Sequence, residues 1–197
     1  MATSAAMQSP AVTKAGVQLE SSTLPFTVKA TKGEKIDHIL VTHTHRDHSP
    51  GARRLRALTG APILGCAPHV TIEHAPSGRL DASHDLDHDP DQVMADGELL
   101  KGDGYRLTAV HTPGHASNHL CFALAEENAL FSGDHVMAWS TTIVAPPDGH
   151  MSDYMASLDK LRARGEAIYW PGHGGPVRDP QRDRKSTRLN SSHVKRS

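Results

Sequence analysis

The stretch that decides the fold is His43-Thr44-His45-Arg46-Asp47-His48, which places three imidazoles and one carboxylate within six residues. An apolar run, Ile36-Asp37-His38-Ile39-Leu40-Val41-Thr42, precedes it and predicts a buried β-strand. Ser49-Pro50-Gly51-Ala52 follows it and predicts the start of a helix, with Ser49 as the N-cap and Pro50 at the first helical position. The cluster is therefore expected on a strand-to-helix loop that is fixed at both ends, where binding chemistry is usually placed.

The residue types in this loop are those that Zn²⁺ and similar metals prefer as ligands. His43 and His45 are two positions apart, so in an extended segment their side chains point the same way and one metal ion can contact both. Asp47 and His48 follow in the turn and can face a second metal ion. A single histidine is more simply explained as a surface or hydrogen-bonded residue, but a cluster this dense after a buried strand favours metal binding.

Three further motifs supply metal-type ligands from distant parts of the sequence. They are His111-Thr112-Pro113-Gly114-His115, Phe131-Ser132-Gly133-Asp134 and Pro171-Gly172-His173-Gly174. Each candidate ligand follows a strand-like run, and each run ends in turn residues. Ligands that follow several strands can converge at one edge of a sheet, so the four motifs together predict a metal cleft.

The combination HxHxDH, TPGH, SGD and PGHG resembles the metallo-β-lactamase-fold hydrolases, in particular the branch of glyoxalase II-like and lactamase-β-2-like proteins. The resemblance implies an α/β (α+β) fold, a four-layer αββα sandwich with the metals at one edge, here incomplete at the N-terminus. It also implies a dinuclear site. His43, His45 and His115 would hold the first metal ion, Asp47, His48 and His173 would hold the second, and Asp134 would bridge the two.

The implied cofactors are two divalent metal ions, with Zn²⁺ preferred and iron or manganese as alternatives. A hydroxide shared by the ions would attack an acyl or phosphoryl centre, because a bound metal lowers the pKa of water from roughly 15.7 to about 7. Asp134 suits a bridging position because a carboxylate offers two oxygens, and Asp47 would orient the hydroxide. These two carboxylates are the predicted catalytic residues. No GxSxG elbow, GxGxxG or Walker A pattern suggests a different chemistry.

The expected function is hydrolysis of a thioester, an ester or lactone, or a phosphodiester, with a small-molecule ester or thioester as the substrate. Two alternatives remain open: a truncated, catalytically weak metal-binding fragment of such a hydrolase, and a single-stranded RNA endonuclease. A formal net charge of −1 and an aromatic content of 4% argue against a nucleic-acid partner. Because no transmembrane-length run or apolar signal region is visible, a cytoplasmic protein without membrane contact is expected.

Length and composition fit one globular domain, since the chain has 197 residues, of which 37% are hydrophobic and 22% charged. Residues 1–33 are expected to form a weakly ordered segment with one short strand over 24–28. Residues 34–178 are expected to form the metallo-β-lactamase-like domain. Residues 179–197 are rich in Arg, Lys and Ser and predict a disordered tail of non-native composition. Cys66 and Cys121 form no CxxC pair, and Cys121 is expected in the core.

Between the motifs, the pattern predicts a helix over 50–59, a polar loop over 84–89, antiparallel strands over 91–133 and a long loop over 136–151. A second helix is expected from Ser152, closed by Gly165. The 84–89 stretch is dense in ligand-type residues, but it lacks a flanking element and is interpreted as a polar loop and not as a third metal site. His111 and His119 are expected to support the ligands or the fold without binding metal.

Overall fold

A computed structural model describes residues 35–70, 84–138 and 140–180. The predicted strand over 24–28 and most of the predicted tail lie outside these residues. Within the described ranges the chain forms two sheets and two helices. In chain order the elements are β1 (Ile39–Val41), α1 (Pro50–Thr59), β2 (Ile63–Gly65), β3 (Gln92–Val93), β4 (Leu99–Gly102), β5 (Tyr105–His111), β6 (Leu120–Leu124), β7 (Ala129–Gly133), α2 (Met151–Arg162) and β8 (Ile168–Pro171).

The two sheets differ in strand direction. The smaller sheet has the order β1-β2-β3 and is parallel throughout, with Ile39 opposite Ile63. The larger sheet has the order β4-β5-β6-β7-β8 and is antiparallel except for its last pair, β7 and β8. The prediction of antiparallel strands over 91–133 is therefore correct for β4 to β7 and wrong for β3. β3 has two exposed residues, so it carries no apolar alternation that could assign it to a sheet.

Strand β6 lies at the centre of the fold and is buried on both faces. Its side chains alternate between two cores: Phe122 belongs to the core shared with α1 and the smaller sheet, whereas Cys121 belongs to the core formed with α2. Helix α2 contributes the buried side chains of Tyr154, Leu158 and Leu161 to the second core, as its spacing predicts. The layer order is α1, small sheet, large sheet, α2, which confirms the expected αββα sandwich.

Helix α1 has the predicted bounds and ends at Gly60, which adopts a left-handed φ of 73°. Ser49 is the N-cap residue, as predicted, although its side chain makes no capping hydrogen bond. Its Oγ instead donates to Asp85 Oδ2 at 2.8 Å, and Arg53 donates to the same carboxylate at 2.9 Å. The start of α1 is thus fixed by a carboxylate from another loop, which is a favourable charge at a helix N-terminus.

The stretch 84–89 is a loop, as predicted, but half of its residues are buried. His84, Asp85 and His88 are all buried. This burial has a physical reason: Asp85 has Ser49 and Arg53 as partners, so its carboxylate can leave water without remaining unsatisfied.

Both cysteines are buried and unbridged. Neither helix in the described ranges has the length and hydropathy needed to span a bilayer.

Candidate metal centre

Four loops that follow strands of both sheets bring the predicted ligands together. In the larger sheet β5, β7 and β8 run in the same direction, so their carboxyl ends share one edge. The loop after β1 reaches that edge from the smaller sheet. The structure groups the seven predicted side chains into three overlapping sets of closely spaced donor atoms: His43 with His45 and His115, His43 with His48 and Asp134, and Asp47 with His48 and His173.

The first group consists of three ring nitrogens that face one another. His43 Nε2 and His115 Nε2 each lie 3.0 Å from His45 Nδ1. In a tetrahedral zinc site with bonds of about 2.0–2.1 Å, neighbouring ligand atoms lie about 3.3–3.4 Å apart. The three imidazoles are therefore within a few tenths of an ångström of the spacing that one such ion requires.

The other ring nitrogens of this group are held by protein partners. His115 Nδ1 donates to the carbonyl oxygen of Ile143 at 2.7 Å, which leaves Nε2 as the nitrogen with a free lone pair. His43 Nδ1 lies 3.0 Å from Thr42 Oγ1. Such contacts orient imidazoles and select the tautomer that binds a metal.

The second group is more open to solvent than the first. His173 Nε2 lies 3.2 Å from Asp47 Oδ2, and His48 Nε2 lies 3.6 Å from the same oxygen. The Asp47 side chain is 55% exposed, whereas that of His48 is 6% exposed. His48 Nε2 is buried without a hydrogen-bond partner among the described residues. A buried, unsatisfied nitrogen that faces a carboxylate fits a ligand whose partner is a cation.

Asp134 lies between the two groups. Its Oδ2 is 3.3 Å from His48 Nε2, 3.5 Å from His173 Nε2 and 3.7 Å from His115 Nε2. Its Oδ1 is buried and has no hydrogen-bond partner among the described residues. One carboxylate thus reaches imidazoles of both groups and retains an oxygen for a further partner.

Burial keeps the first group neutral. Desolvation, with a smaller contribution from the neighbouring His115, lowers the pKa of His45 to about 3. Desolvation also lowers the pKa of His115, and it lowers that of His43 well below its usual value. Neutral imidazole is the form that binds a metal, so this group is ready for a cation at neutral pH.

The second group carries compensating charges. Hydrogen bonding to Asp134 and Asp47 raises the pKa of His173 to about 10. The bond from His173 in turn lowers the pKa of Asp47 to about 2. Although burial alone would raise it, the nearby imidazoles of His173 and His48 bring the pKa of Asp134 below its usual value. Without a metal, a protonated His173 therefore offsets part of the negative charge of the two carboxylates.

The two histidines expected to support the site differ. His119 is fully buried; its Nε2 accepts from the backbone N–H of Asp134 at 3.2 Å, and its ring lies 5.1 Å from that of His43. His111 is exposed and bonds through its ring to the carbonyl of Ser117, so it supports the loop.

Gly172 permits the close approach of the β8 loop to the centre. A Cβ at this position would collide with Asp134 Oδ1 and would lie 2.8 Å from His48 Cε1. A Cβ on the neighbouring Gly175 would have no atom within 4 Å, so of these two glycines only Gly172 is constrained by the ligands. Glycine in the PGHG motif is thus required for packing against two candidate ligands.

Sequence reasoning missed a fourth group of donor side chains, formed by His69, His84 and Asp148. His84 lies in the predicted polar loop over 84–89, and Asp148 lies in the predicted long loop over 136–151. No sequence signal connects these residues, because each comes from a different loop and none follows a strand as part of a motif.

The αββα sandwich with a histidine- and aspartate-lined edge defines the structural class, and sequence comparison identifies the family. The sequence profile of the metallo-beta-lactamase superfamily matches residues 14–173. This chain belongs to that superfamily.

Relatives and solved structures agree with this assignment. The lactamase-like protein notP of Aspergillus sp. (strain MF297-2) is 32% identical over 74% of this chain and 39% of its own length. The atrochrysone carboxyl ACP thioesterase dmxR1 of Cryptosporiopsis sp. (strain 8999) is 34% identical over 74% of this chain and 39% of its own length. The chain thus spans about two fifths of these curated relatives. The metallo-beta-lactamase family protein TTHA1429 from Thermus thermophilus has the same fold, with a TM-score of 0.62 at 24% identity over 80% of this chain and 61% of that protein.

The contact at Gly172 predicts a selective loss of metal binding. Gly172→Ala should weaken zinc binding by at least about 10-fold, because the new methyl group displaces Asp134 or His48, and small displacements of ligands are costly. Gly175→Ala is the matched control and should bind zinc as the wild type does. Titration calorimetry with zinc checks both variants. Equal zinc affinity in the two variants would contradict the packing argument.

The shifted pKa values predict the pH dependence of stability in the metal-free chain. Between about pH 3 and 6.5 the unfolded chain binds more protons at His45, so stability rises with pH. Between about pH 6.5 and 10 the folded chain binds more protons at His173, so stability falls as pH rises. Urea midpoints measured in EDTA should therefore be highest near pH 6.5.

The control for this prediction is His173→Gln, which should flatten the alkaline side of the profile and leave the acid side in place. A wild-type midpoint that climbs steadily to about pH 9 would contradict the assigned charge state of His173.

Proposed function

We propose that this chain is a metal-dependent hydrolase that cleaves a thioester at a dinuclear site, with Zn²⁺ as the preferred metal. The first ion would be held by His43, His45 and His115, and the second by Asp47, His48 and His173. The observation that carries the proposal is the position of Asp134, whose Oδ2 lies within 3.7 Å of imidazoles from both groups. Paired metals stand about 3.5–4 Å apart in such centres, a distance that one carboxylate spans.

Bound cations would supply a water-derived nucleophile at neutral pH and a Lewis acid for the carbonyl oxygen. The chain's own residues prepare this chemistry. Burial keeps the imidazoles of the first group neutral, and the lowered pKa values of Asp47 and Asp134 keep both carboxylates charged. To hold a metal ion, His173 would have to give up its proton, because only neutral imidazole binds a metal.

The open side of the centre favours substrate entry next to the second group. The side chain of Asp47 is 55% exposed and that of His173 is 24% exposed, whereas His43 is fully buried. An acyl carbonyl would therefore approach past Asp47, whose carboxylate would orient the attacking water. Neither cysteine offers a rival nucleophile, since burial raises the pKa of both thiols.

A thioester is the proposed substrate because two relatives are named as thioesterases. One is the atrochrysone carboxyl ACP thioesterase dmxR1, and another is the thioesterase pkgB of Emericella nidulans, which is 35% identical over 72% of this chain and 35% of its own length. Because the chain spans only part of these proteins, the proposal concerns the bond that is cleaved and not the identity of the acyl group.

A substrate panel tests the function. Purified chain loaded with zinc is assayed on an N-acetylcysteamine thioester, a lactone and a phosphodiester, before and after exhaustive chelation. We expect thioester turnover that is lost in EDTA and restored by zinc. Turnover that survives chelation would refute a metal mechanism, and cleavage of the phosphodiester alone would refute the thioester assignment.

One variant and its control test whether Asp134 belongs to the site of hydrolysis. Asp134→Asn keeps the size of the side chain but removes the charge, and it should reduce kcat by more than about 100-fold, because partners outside the ligand shell alone are worth about 10–100-fold. Asp153→Asn is the matched control on α2, where Asp153 contacts His150 and none of the proposed ligands. Unchanged zinc content and turnover in Asp134→Asn would remove Asp134 from the proposed site.

A further inference from the structure

The group formed by His69, His84 and Asp148 lies beside the proposed site without belonging to it. Its ligand-type atoms all lie within 4.8 Å of one another. The three side chains are 2%, 3% and 12% exposed, respectively, so the group is almost closed to solvent. The ring of His84 lies 4.7 Å from that of His45, which places the group against the first metal group.

Ring geometry argues against a third metal ion at this position. The rings of His69 and His84 are stacked, with centroids 3.7 Å apart and planes at 8°. An imidazole binds a metal through a nitrogen lone pair that lies in the ring plane. Two nearly parallel rings at this separation cannot both direct a lone pair at one ion, so the group has another role.

We propose that Asp148 is a positioning residue that holds two ligand-bearing loops of the first metal group in place. One arm runs through Ser117 to the His115 loop. The other runs through His84 and Thr44 to the segment between His43 and His45. The inference rests on the ligand set of the proposed function and adds a residue that tunes its metal affinity.

The first arm is a pair of hydrogen bonds from Ser117. Its backbone N–H donates to Asp148 Oδ2 at 3.1 Å, and its Oγ donates to Oδ1 at 2.5 Å. Ser117 stands two positions after His115, whose Nδ1 donates to Ile143 at 2.7 Å. The segment 143–148 therefore holds the His115 loop at two points.

The second arm begins at Thr44, which lies between two candidate ligands. In an extended segment successive side chains point in opposite directions, so Thr44 projects behind the face that His43 and His45 present. Thr44 is fully buried, and its Oγ1 lies 3.1 Å from His84 Nδ1. The backbone supports the same pairing, because His45 and His84 form an antiparallel bridge.

The protons available on these side chains indicate which group is the donor in the contacts from Thr44 to His84 and from His84 to Asp148. Asn118 Nδ2 donates to Thr44 Oγ1 at 3.0 Å and to the carbonyl of Ala67 at 2.7 Å, which identifies Nδ2 as the amide nitrogen. The hydroxyl proton of Thr44 then remains available for His84 Nδ1, and we assign Thr44 as the donor in this contact. The protonated nitrogen of neutral His84 is then Nε2, which faces Asp148 Oδ2 at 3.5 Å.

A tight backbone turn places Asp148 beside Ser117 and His84. The N–H of Gly149 donates to the carbonyl of Ala145 at 2.8 Å, and a Cβ on Gly149 would lie 2.5 Å from Ala145 N. The next N–H, from His150, donates to Gly114 at 2.9 Å, one residue before His115. The backbone on both sides of Asp148 is thus fixed relative to the ligand loop.

Asp148→Asn tests the proposal with little change in shape. Oδ2 faces both the backbone N–H of Ser117 and Nε2 of His84, so an amide either opposes both with its NH₂ group or turns its oxygen towards both. In either orientation the negative charge is lost, so the second arm is weakened. We expect the zinc dissociation constant of the tighter site to rise about 10–100-fold and the visible spectrum of the cobalt(II)-substituted protein to change. Thr44→Val breaks the same arm from its other end and should shift both readouts in the same direction, whereas Asp153→Asn should change neither.

The outcomes separate this inference from the function on which it depends. Zinc affinity and cobalt spectra that are unchanged in both Asp148→Asn and Asp148→Ala would overturn the positioning role; if Asp148→Ala fails to fold, Asp148→Asn alone decides. A wild-type chain that binds no zinc would refute the proposed function instead. A third equivalent of zinc that is lost in His69→Ala would assign the group as a metal site and would also overturn the proposal.

Discussion

The constraint on which the rest of this structure depends is the buried carboxylate of Asp134. A buried charge is unfavourable unless it is paired, and this one is surrounded by the imidazoles of His48, His115 and His173. Of these, His173 bears the compensating charge in the metal-free chain, as its raised pKa indicates. The carboxylate needs a positive partner, and the fold must keep several loops in place to supply it.

The sandwich meets this requirement by fixing each loop close to its ligand. The loop after β1 is tied to α1 and to Asp85 through Ser49, and the loop after β5 is held by the segment 143–148. The loop after β8 can approach only because residue 172 has no side chain. These supports lie outside the ligand set, and they explain how seven donor groups from two sheets can share one edge.

The sequence predicted the layer order and the convergence of the donor side chains, because both depend on local patterns. A dense donor motif after an apolar run, followed by proline and a glycine stop, identifies a strand, a loop and helix α1. The alternation in β6 and the helical spacing of Tyr154, Leu158 and Leu161 identify the two cores. These signals are short in range and need no knowledge of tertiary contacts.

The sequence could not predict features created by contacts between distant loops. The burial of His84 and Asp85 depends on partners more than 30 positions away, such as Ser49 and Thr44. Strand β3 pairs in parallel with β2 although neither its length nor its burial marks it as a strand. The proposed role of Asp148 follows from its hydrogen bonds to Ser117 and its contact with His84, both distant in sequence, so a composition-based interpretation treats it as one more polar loop residue.

Anomalous diffraction at the zinc edge, on crystals of the zinc-loaded chain, tests the central claim most directly. The account predicts two peaks about 3.5–4 Å apart on either side of Asp134. One should lie about 2.0–2.2 Å from the facing nitrogens of His43, His45 and His115, and the other should lie next to Asp47, His48 and His173. A single peak, or peaks away from Asp134, would contradict a dinuclear centre built on this carboxylate.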